Sequence, residues 1–351
     1  MRAMPFDVAL VVPLRGPAGI FGPSAELCAQ LAAEEVNRSG GVLGRELRLV
    51  TVDGGAPPQV VAAEVAALVD SGAVQGVTGW HISSVRQAVA PRVAGRVPYV
   101  YTALYEGGER TEGVFMTSET PEVQLFPAMR LLARERTARR WYVVGNDYVW
   151  PRRTARAAHR YAAANGLHLV GESYVPLATA DFSEVLRRIE VSAADAVLML
   201  LVGMDAVRFN RAFARSGLPG RCLRLSTLMD ENMLLASGAS ATHDLFSTAG
   251  FFAGMVTPEN LDFHGRYADR FGVEAPPLGS LGESCHEGVL LLAALVEQAG
   301  ELDVRAIGAN ADSVSYEGPR GLLHLRRRHV NQRIYLAEAR GVDFDVLTQL
   351  P

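Results

Sequence analysis

Apolar and polar positions alternate along this chain in a β-loop-α rhythm that runs for about 120 residues and then begins again. Asp7–Leu14 (DVALVVPL) is a branched apolar run that predicts a buried strand. A Gly/Pro-rich loop follows, with Ser24 placed to cap a helix over Ala25–Ser39 that stops at Gly40-Gly41. The pattern predicts strands at Leu47–Val52, Gly76–Thr78 and Pro98–Thr102, and helices at Pro58–Ser71 and Ser83–Ala94. Such alternation implies a parallel sheet covered by helices on both faces.

The second series has helices at Val123–Arg134, Pro151–Asn165, Phe182–Ile189 and Ala206–Ser216. Its strands are Arg140–Val144, His168–Val175, Ala196–Leu201 and Leu223–Ser226. A third section adds a strand at Thr248–Phe252, helices at Glu259–Phe271 and Leu281–Ala299, and a hairpin from Ser313–Leu325 and Arg333–Ala339. The expected architecture is therefore α/β and two-lobed, with two doubly wound, mainly parallel sheets joined by hinge crossovers. Residues 6–120 and 252–325 are assigned to an N-terminal lobe, and 121–251 and 326–351 to a C-terminal lobe. In open α/β sheets the ligand site lies at the carboxyl ends of the strands.

Composition narrows the chemistry. The chain has 351 residues, a formal net charge of −4 and 34 basic residues, all of them arginine. No P-loop, Schiff-base or kinase-type lysine exists. The charge gives no basic surface for nucleic acid, and no apolar run reaches the roughly 18 residues of a membrane span. Cys28, Cys222 and Cys285 are too few and too scattered for a disulfide framework or a zinc knuckle. No metal or cofactor is expected. The first residues hold no apolar leader, so the chain reads as cytoplasmic, with export the alternative if a signal peptide has been removed.

Catalytic signatures are missing. There is no G-x-S-x-G, no H-E-x-x-H and no G-x-G-x-x-G after a strand. The loop Gly16–Gly22 lacks nucleotide-loop spacing, and Pro17 and Pro23 remove amide donors, so it reads as a strand-to-helix turn, with a phosphate cradle a remote second. Cys285-His286-Glu287 are helix neighbours that point about 100° apart, so they form no nucleophile–base pair. Arg326-Arg327-Arg328-His329 reads as a solvated hairpin edge, with an anion or partner patch second.

Polar and aromatic residues gather instead just after strands. Gly79-Trp80-His81-Ile82-Ser83-Ser84 ends a strand in glycine and opens a helix with two serines. A helix start of this kind binds a carboxylate or amide oxygen well; equally, Ser83 can simply cap its own helix. Tyr101-Thr102-Ala103-Leu104-Tyr105-Glu106-Gly107 and Gly145-Asn146-Asp147-Tyr148-Val149-Trp150 place aromatics where a ligand wall or a core plug would stand. In Thr227-Leu228-Met229-Asp230-Glu231 an acid could meet a ligand nitrogen or serve a helix start.

The segments GWHISSVRQAVAP, YTALYEG, VVGNDYVWPR, YVPLATADFSEVLRRI, LVGMDAVRFNRA and EGPRGLLHL resemble those of type I periplasmic binding proteins. Within that superfamily they are most similar to amide-sensing regulators of amidase operons and to urea and short-chain-amide transporter binding proteins. The resemblance implies a non-catalytic flytrap that closes by hinge motion on a small amide, urea or amino-acid-like ligand. It implies ligand contacts at Ser83, Tyr101, Tyr148 and Trp150, with His81, Ser84, Ala103, Leu104 and Asp230 beside them. Two departures stand out: His81 replaces a tyrosine, and Ala103-Leu104 replaces threonine-proline. A lost hydroxyl removes a hydrogen bond to a small ligand, which puts acetamide in question. The expected role is a cytoplasmic sensor that acts on a regulator protein. The alternative is the binding component of an amide, urea or branched-chain amino acid ABC transporter, with a permease as partner; a hydrolase is the remote third reading. Homo-oligomerisation is left open.

Overall fold

The structure, a computed structural model, describes residues 4–351. In chain order the elements are β1 (Phe6–Val12), α1 (Gly22–Arg38), β2 (Leu47–Asp53), α2 (Pro58–Asp70), β3 (Gly76–Gly79), α3 (Ser83–Val93), β4 (Tyr99–Tyr101) and β5 (Val114–Met116). There follow α4 (Leu125–Glu135), β6 (Arg140–Asn146), α5 (Val149–Ala164), β7 (His168–Val175), α6 (Ser183–Ser192), β8 (Ala196–Leu200), α7 (Met204–Ala214), β9 (Leu223–Ser226), α8 (Glu231–Ser237) and β10 (Leu245–Ala249). The last section holds α9 (Pro258–Phe271), α10 (Ser280–Ala299), α11 (Val304–Asn310), β11 (Ser315–Gly318), β12 (Gly321–Arg326), β13 (His329–Asn331), β14 (Tyr335–Arg340) and β15 (Asp343–Gln349).

These elements form two compact units. One comprises Met1–Ala103, Gly108–Ser118 and Val256–Gln332; the other comprises Leu104–Gly107, Glu119–Met255 and Arg333–Pro351. The first has a sheet of order β11-β12-β13-β5-β4-β3-β1-β2, and the second a sheet of order β15-β14-β10-β9-β8-β6-β7. In each, the βα series pairs in parallel and the late strands add an antiparallel edge. This is the expected α/β architecture with two sheets flanked by helices.

Three local expectations differ. Ser24 does not cap α1. The helix opens at Gly22, with proline in its first turn, and the Ser24 hydroxyl donates back to the Phe21 carbonyl at 3.2 Å. A proline in the first turn has its φ already set for helix, so the start moves upstream. The hairpin is also drawn differently: Gly318-Pro-Arg-Gly321 folds β11 onto β12, so the turn lies inside the segment expected to be one arm. β14 instead pairs antiparallel with β10 and β15 in the second sheet. The chain leaves the first unit after Gln332, because β13 extends the first sheet by pairing with both β12 and β5.

Two glycines set the spacing of the first unit. Gly79 has φ +129°, and a Cβ there would meet the Val11 carbonyl oxygen at 2.3 Å. Gly288 lets α10 settle on the sheet; a Cβ would meet Thr102 at 2.5 Å and Thr78 at 2.6 Å. The resulting core is heavily aliphatic, and α10 is buried along most of its length. No helix among the described residues is long and apolar enough to cross a membrane.

A buried ion cluster ties the Gly318–Gly321 turn to α10. Arg320 Nε donates to both oxygens of Glu287 at 3.0 Å and lies 3.4 Å from Glu283 Oε1, while the Tyr316 hydroxyl donates to Glu287 at 3.1 Å. Burial pushes the Glu287 pKa up, but the charge and hydrogen bonds of Arg320 outweigh it and hold the carboxyl below its ordinary value. Arg320→Met removes the guanidinium that pairs with two buried carboxylates. It is expected to destabilise the protein by about 3–5 kcal/mol in urea melts; a loss below about 1 kcal/mol would contradict this reading of the turn.

Candidate functional site

In the first unit the candidate residues gather at the carboxyl ends of β1, β3 and β4. Gly79 brings β3 so close to β1 that the next residues turn sharply, and His81 falls over the end of β1. His81 is fully buried. Its Nδ1 lies 3.0 Å from the Val11 carbonyl and its Nε2 2.5 Å from the Tyr99 hydroxyl. A carbonyl only accepts, so Nδ1 carries the proton and Nε2 accepts from tyrosine. Both ring nitrogens are engaged, and His81 acts as a pin that fixes the loop. Burial pushes its pKa down to about 4; the hydrogen bond to Val11 opposes this and the charge of Arg86 adds to it.

The pinned loop delivers the start of α3. Ile82 occupies the cap position and no side chain caps the helix, so Ser83 is not its own helix's cap. The Ser83 side chain is nearly fully buried, whereas Ser84 is half-buried. The first amides of a helix lack intrahelical acceptors and carry the positive end of the dipole. Side chains cap α8, α9 and α11, through Asp230, Thr257 and Asp303; the other helices, like α3, have no side-chain cap. Tyr101 closes the neighbourhood: its hydroxyl donates to the His81 carbonyl at 2.6 Å, and its ring stands edge-on to His81 at 5.1 Å. Ala103 is buried in this unit; Leu104, also buried, belongs to the other.

Two residues here were not singled out from sequence. Arg86, one turn after Ser83, is buried and donates to Ser83 Oγ at 3.4 Å and to Glu109 at 3.0 Å, with its guanidinium 5.0 Å from the Tyr101 ring centre. The i, i+3 spacing on one helix face was the available signal. Trp80 packs edge-on against Phe21 at 4.8 Å, and its indole N–H is buried without a hydrogen-bond partner.

In the second unit, Tyr148 and Trp150 open α5. Tyr148 occupies the cap position and is half-buried; Trp150 is buried, with ring centres 6.2 Å apart. Their strand is anchored by Asn146, another residue missed from sequence. Its amide donates to Asp205 at 2.8 Å and its oxygen accepts from the Val202 amide at 2.8 Å, while Asp205 also accepts from the Ala178 amide. Three strand-end loops are thereby stapled together.

Asp230, buried, caps α8 by accepting from the Met233 amide at 3.1 Å. Burial raises its pKa to about 6. Burial and the adjacent Asp230 charge raise that of Glu231 to about 8, although Glu231 accepts from the Ala253 amide.

The three-residue helix motif scatters. Cys285 faces Thr102, His286 meets Glu35 at 2.9 Å, and Glu287 serves Arg320. All three cysteines are free and buried. Among the described residues, no cluster of His, Cys, Asp or Glu could hold a metal ion.

Comparison with known proteins adds the lineage. The profile of a family described as periplasmic binding protein matches residues 5–343. A Leu/Ile/Val-binding protein homolog from Brucella melitensis is 26% identical over 347 residues, covering 96% of this chain and 88% of its own. Among solved structures, a periplasmic binding protein from Burkholderia mallei superposes with TM-score 0.89 at 18% identity, covering 99% and 95% of the two chains. An ABC transporter solute binding protein from Rhodopseudomonas palustris, in complex with p-hydroxybenzoic acid, gives 0.86 at 22%, covering 99% and 98%. A branched-chain amino acid transporter substrate binding protein from Streptococcus pneumoniae, in complex with isoleucine, gives 0.85 at 16%, covering 99% of each. At these identities the structures speak for the fold. The cytoplasmic expectation is overturned: the family whose profile matches residues 5–343 is one of periplasmic binding proteins. The make-up of the first few residues does not decide the compartment, and residues 1–3 lie outside those described.

The pinned imidazole has a pH consequence. His81 is held near pKa 4 in the folded chain, against about 6.5 when unfolded. Below about 6.5 the unfolded state binds a proton that the folded state refuses, so stability falls as pH drops from about 6.5 toward 4. His81→Gln removes this titration. The stability advantage of wild type over the variant should shrink by about 3 kcal/mol between pH 7 and pH 4 in paired urea melts; parallel curves would contradict the assignment.

Proposed function

We infer the function from kinship: the chain belongs to the periplasmic binding protein family. We read it as the substrate-binding component of an ABC transporter, handing a small organic carboxylate to a permease. The observation that carries this is the buried, uncapped start of α3, where Ser83 and the first amides form a socket for an anionic oxygen. The orphaned indole N–H of Trp80, in the same loop, favours a ligand rich in acceptors. The named relatives agree in chemistry. Leucine, isoleucine and valine, and the p-hydroxybenzoic acid of one structural neighbour, all carry a carboxyl group.

In this reading Ser83, Ser84 and Tyr101 meet the ligand from the first unit, with His81 and Ala103 as support. Within the second unit, taken by itself, the candidate contacts are Tyr148, Trp150, Leu104 and Asp230. The regulator partner falls away with the cytoplasmic location. An amide or urea ligand, implied by the resemblance of the strand-end segments, is the competing chemistry.

Thermal melts against benzoate, p-hydroxybenzoate, leucine, isoleucine, valine, acetamide and urea separate these readings. A carboxylate at about a hundred times its Kd should raise the melting temperature by on the order of 5 °C. Stabilisation by acetamide or urea alone would contradict the carboxylate reading, and stabilisation by nothing in the panel would contradict the whole assignment. Asp230→Asn preserves the helix cap but removes the charge. It should weaken binding of an amino acid, whose ammonium needs that charge, by about tenfold or more, and leave benzoates unaffected.

A further inference from the structure

We propose that the exposed face of α5 is a docking surface for an acidic segment of a partner protein, met by Arg153, Arg156 and Arg160. The inference does not depend on what the strand-end residues bind. In the transporter reading, the permease is the partner that carries the segment.

The helix segregates its charge. Its 16 residues include Arg152, Arg153, Arg156, His159 and Arg160, and neither Asp nor Glu. All five basic residues are exposed. Yet the chain as a whole holds more acid than base, 38 residues against 34. Other helices match arginine with acid. On α6, Arg187 and Arg188 share Glu184 at 2.8 and 2.9 Å; on α9, Arg266 takes Asp262 and Arg270 takes Glu34, each at 2.7 Å. On α5 one flank of the face is matched: Arg152 pairs with Asp147 at 2.6 Å, and His159 lies 3.6 Å from Glu172. Arg153, Arg156 and Arg160 form no salt bridge with any of the described residues. Spacings of three and four residues line them up in a stripe about 10 Å long. Like charges at those spacings repel and weaken a helix, so the row does not serve the fold.

A row of guanidinium groups without carboxylate partners fits a row of carboxylates on another chain. Three features favour a short protein segment over other polyanions. The net charge of −4 repels an extended anionic surface, whereas a short segment meets the stripe alone, since charges more than about 8 Å away are largely screened. The exposed apolar residues of α5 are Ala163 and Ala164, too small to anchor in a bilayer. The rings of Tyr161, next in sequence to Arg160, and Phe126 are half-buried and stack on each other, with centres 4.4 Å apart and planes 4° from parallel. Rings already stacked in this way are poorly placed to take nucleic-acid bases.

The test is fluorescence anisotropy with a short labelled poly-L-glutamate. Phosphatidylglycerol vesicles and an oligothymidylate of equal charge are the competing probes. The stripe variant is Arg153→Gln/Arg156→Gln/Arg160→Gln. The control, Arg139→Gln/Arg215→Gln/Arg221→Gln, changes net charge equally at exposed arginines elsewhere in the second unit. Wild type should bind the peptide. The stripe variant should bind it about tenfold or more weakly, because three exposed ion pairs each contribute a few-fold. The control should differ from wild type by less than about twofold. The melting temperature of the stripe variant without peptide should equal or exceed that of wild type, since a repulsion is relieved; a fall would mark the row as structural and overturn the inference. Absence of peptide binding overturns it, as do equal losses in the two variants, which would reduce the effect to net charge. Tighter binding of the vesicles or the oligothymidylate than of the peptide would make the face a phosphate reader and also overturn it. The solute panel in thermal melts reports on the transporter reading separately, so failure of one is told apart from failure of the other.

Discussion

The contact on which the first unit's site depends is the approach of β3 to β1 at Gly79. A side chain there would run into the Val11 carbonyl, and only glycine takes the required φ of +129° without strain. That approach puts His81 over the end of β1, where its N–H takes up the same Val11 carbonyl and its other nitrogen takes the Tyr99 hydroxyl. The buried polar groups are thus matched, and the turn into α3 has one geometry. Everything downstream inherits it: the position of Ser83, the Tyr101 hydroxyl on the His81 carbonyl, and the reach of Arg86 back to Ser83. Loosening the pin would cost stability and blur the donor array together.

The second unit uses a different device for the same purpose. Asn146 and Asp205 have no part in a helix cap; they join the ends of β6 and β7 to the turn before α7. Burial foremost raises the Asp205 pKa, with hydrogen bonds from Asn146 and Ala178 and the charge of Arg208 opposing, so the carboxylate is a costly group kept for its geometry. In both units rigidity is concentrated at the carboxyl ends of the strands. Mobile loops are the usual hosts of binding residues, and here they are braced by buried polar bonds.

Much of this was legible in the chain. Periodicity placed nearly every strand and helix of the two βα series, and the glycine-to-serine turn at 79–84 marked the strand end that matters. What periodicity could not supply were partners distant in sequence. The strand at 335–340 has the same alternation whichever neighbour it takes, and it pairs with β10 rather than closing a hairpin with the segment just before it. Arg86 lay in full view one turn after Ser83, but an arginine on a helix is usually a solvated one, and its burial depends on Glu109 arriving from a loop 23 residues away. His81 looked like a ligand contact because its ring bonds run to Val11 and Tyr99, 70 and 18 residues off. The compartment was not legible at all, since the first residues of the sequence say nothing about where the folded body works.

On the proposed reading a carboxylate oxygen sits at the start of α3. The most direct measurement is a crystal structure with whichever solute binds most tightly. The ligand carboxylate is expected within about 3 Å of Ser83 Oγ and of the Ser83 or Ser84 amide. A ligand held elsewhere, or one that turns an N–H toward Ser83, would contradict it.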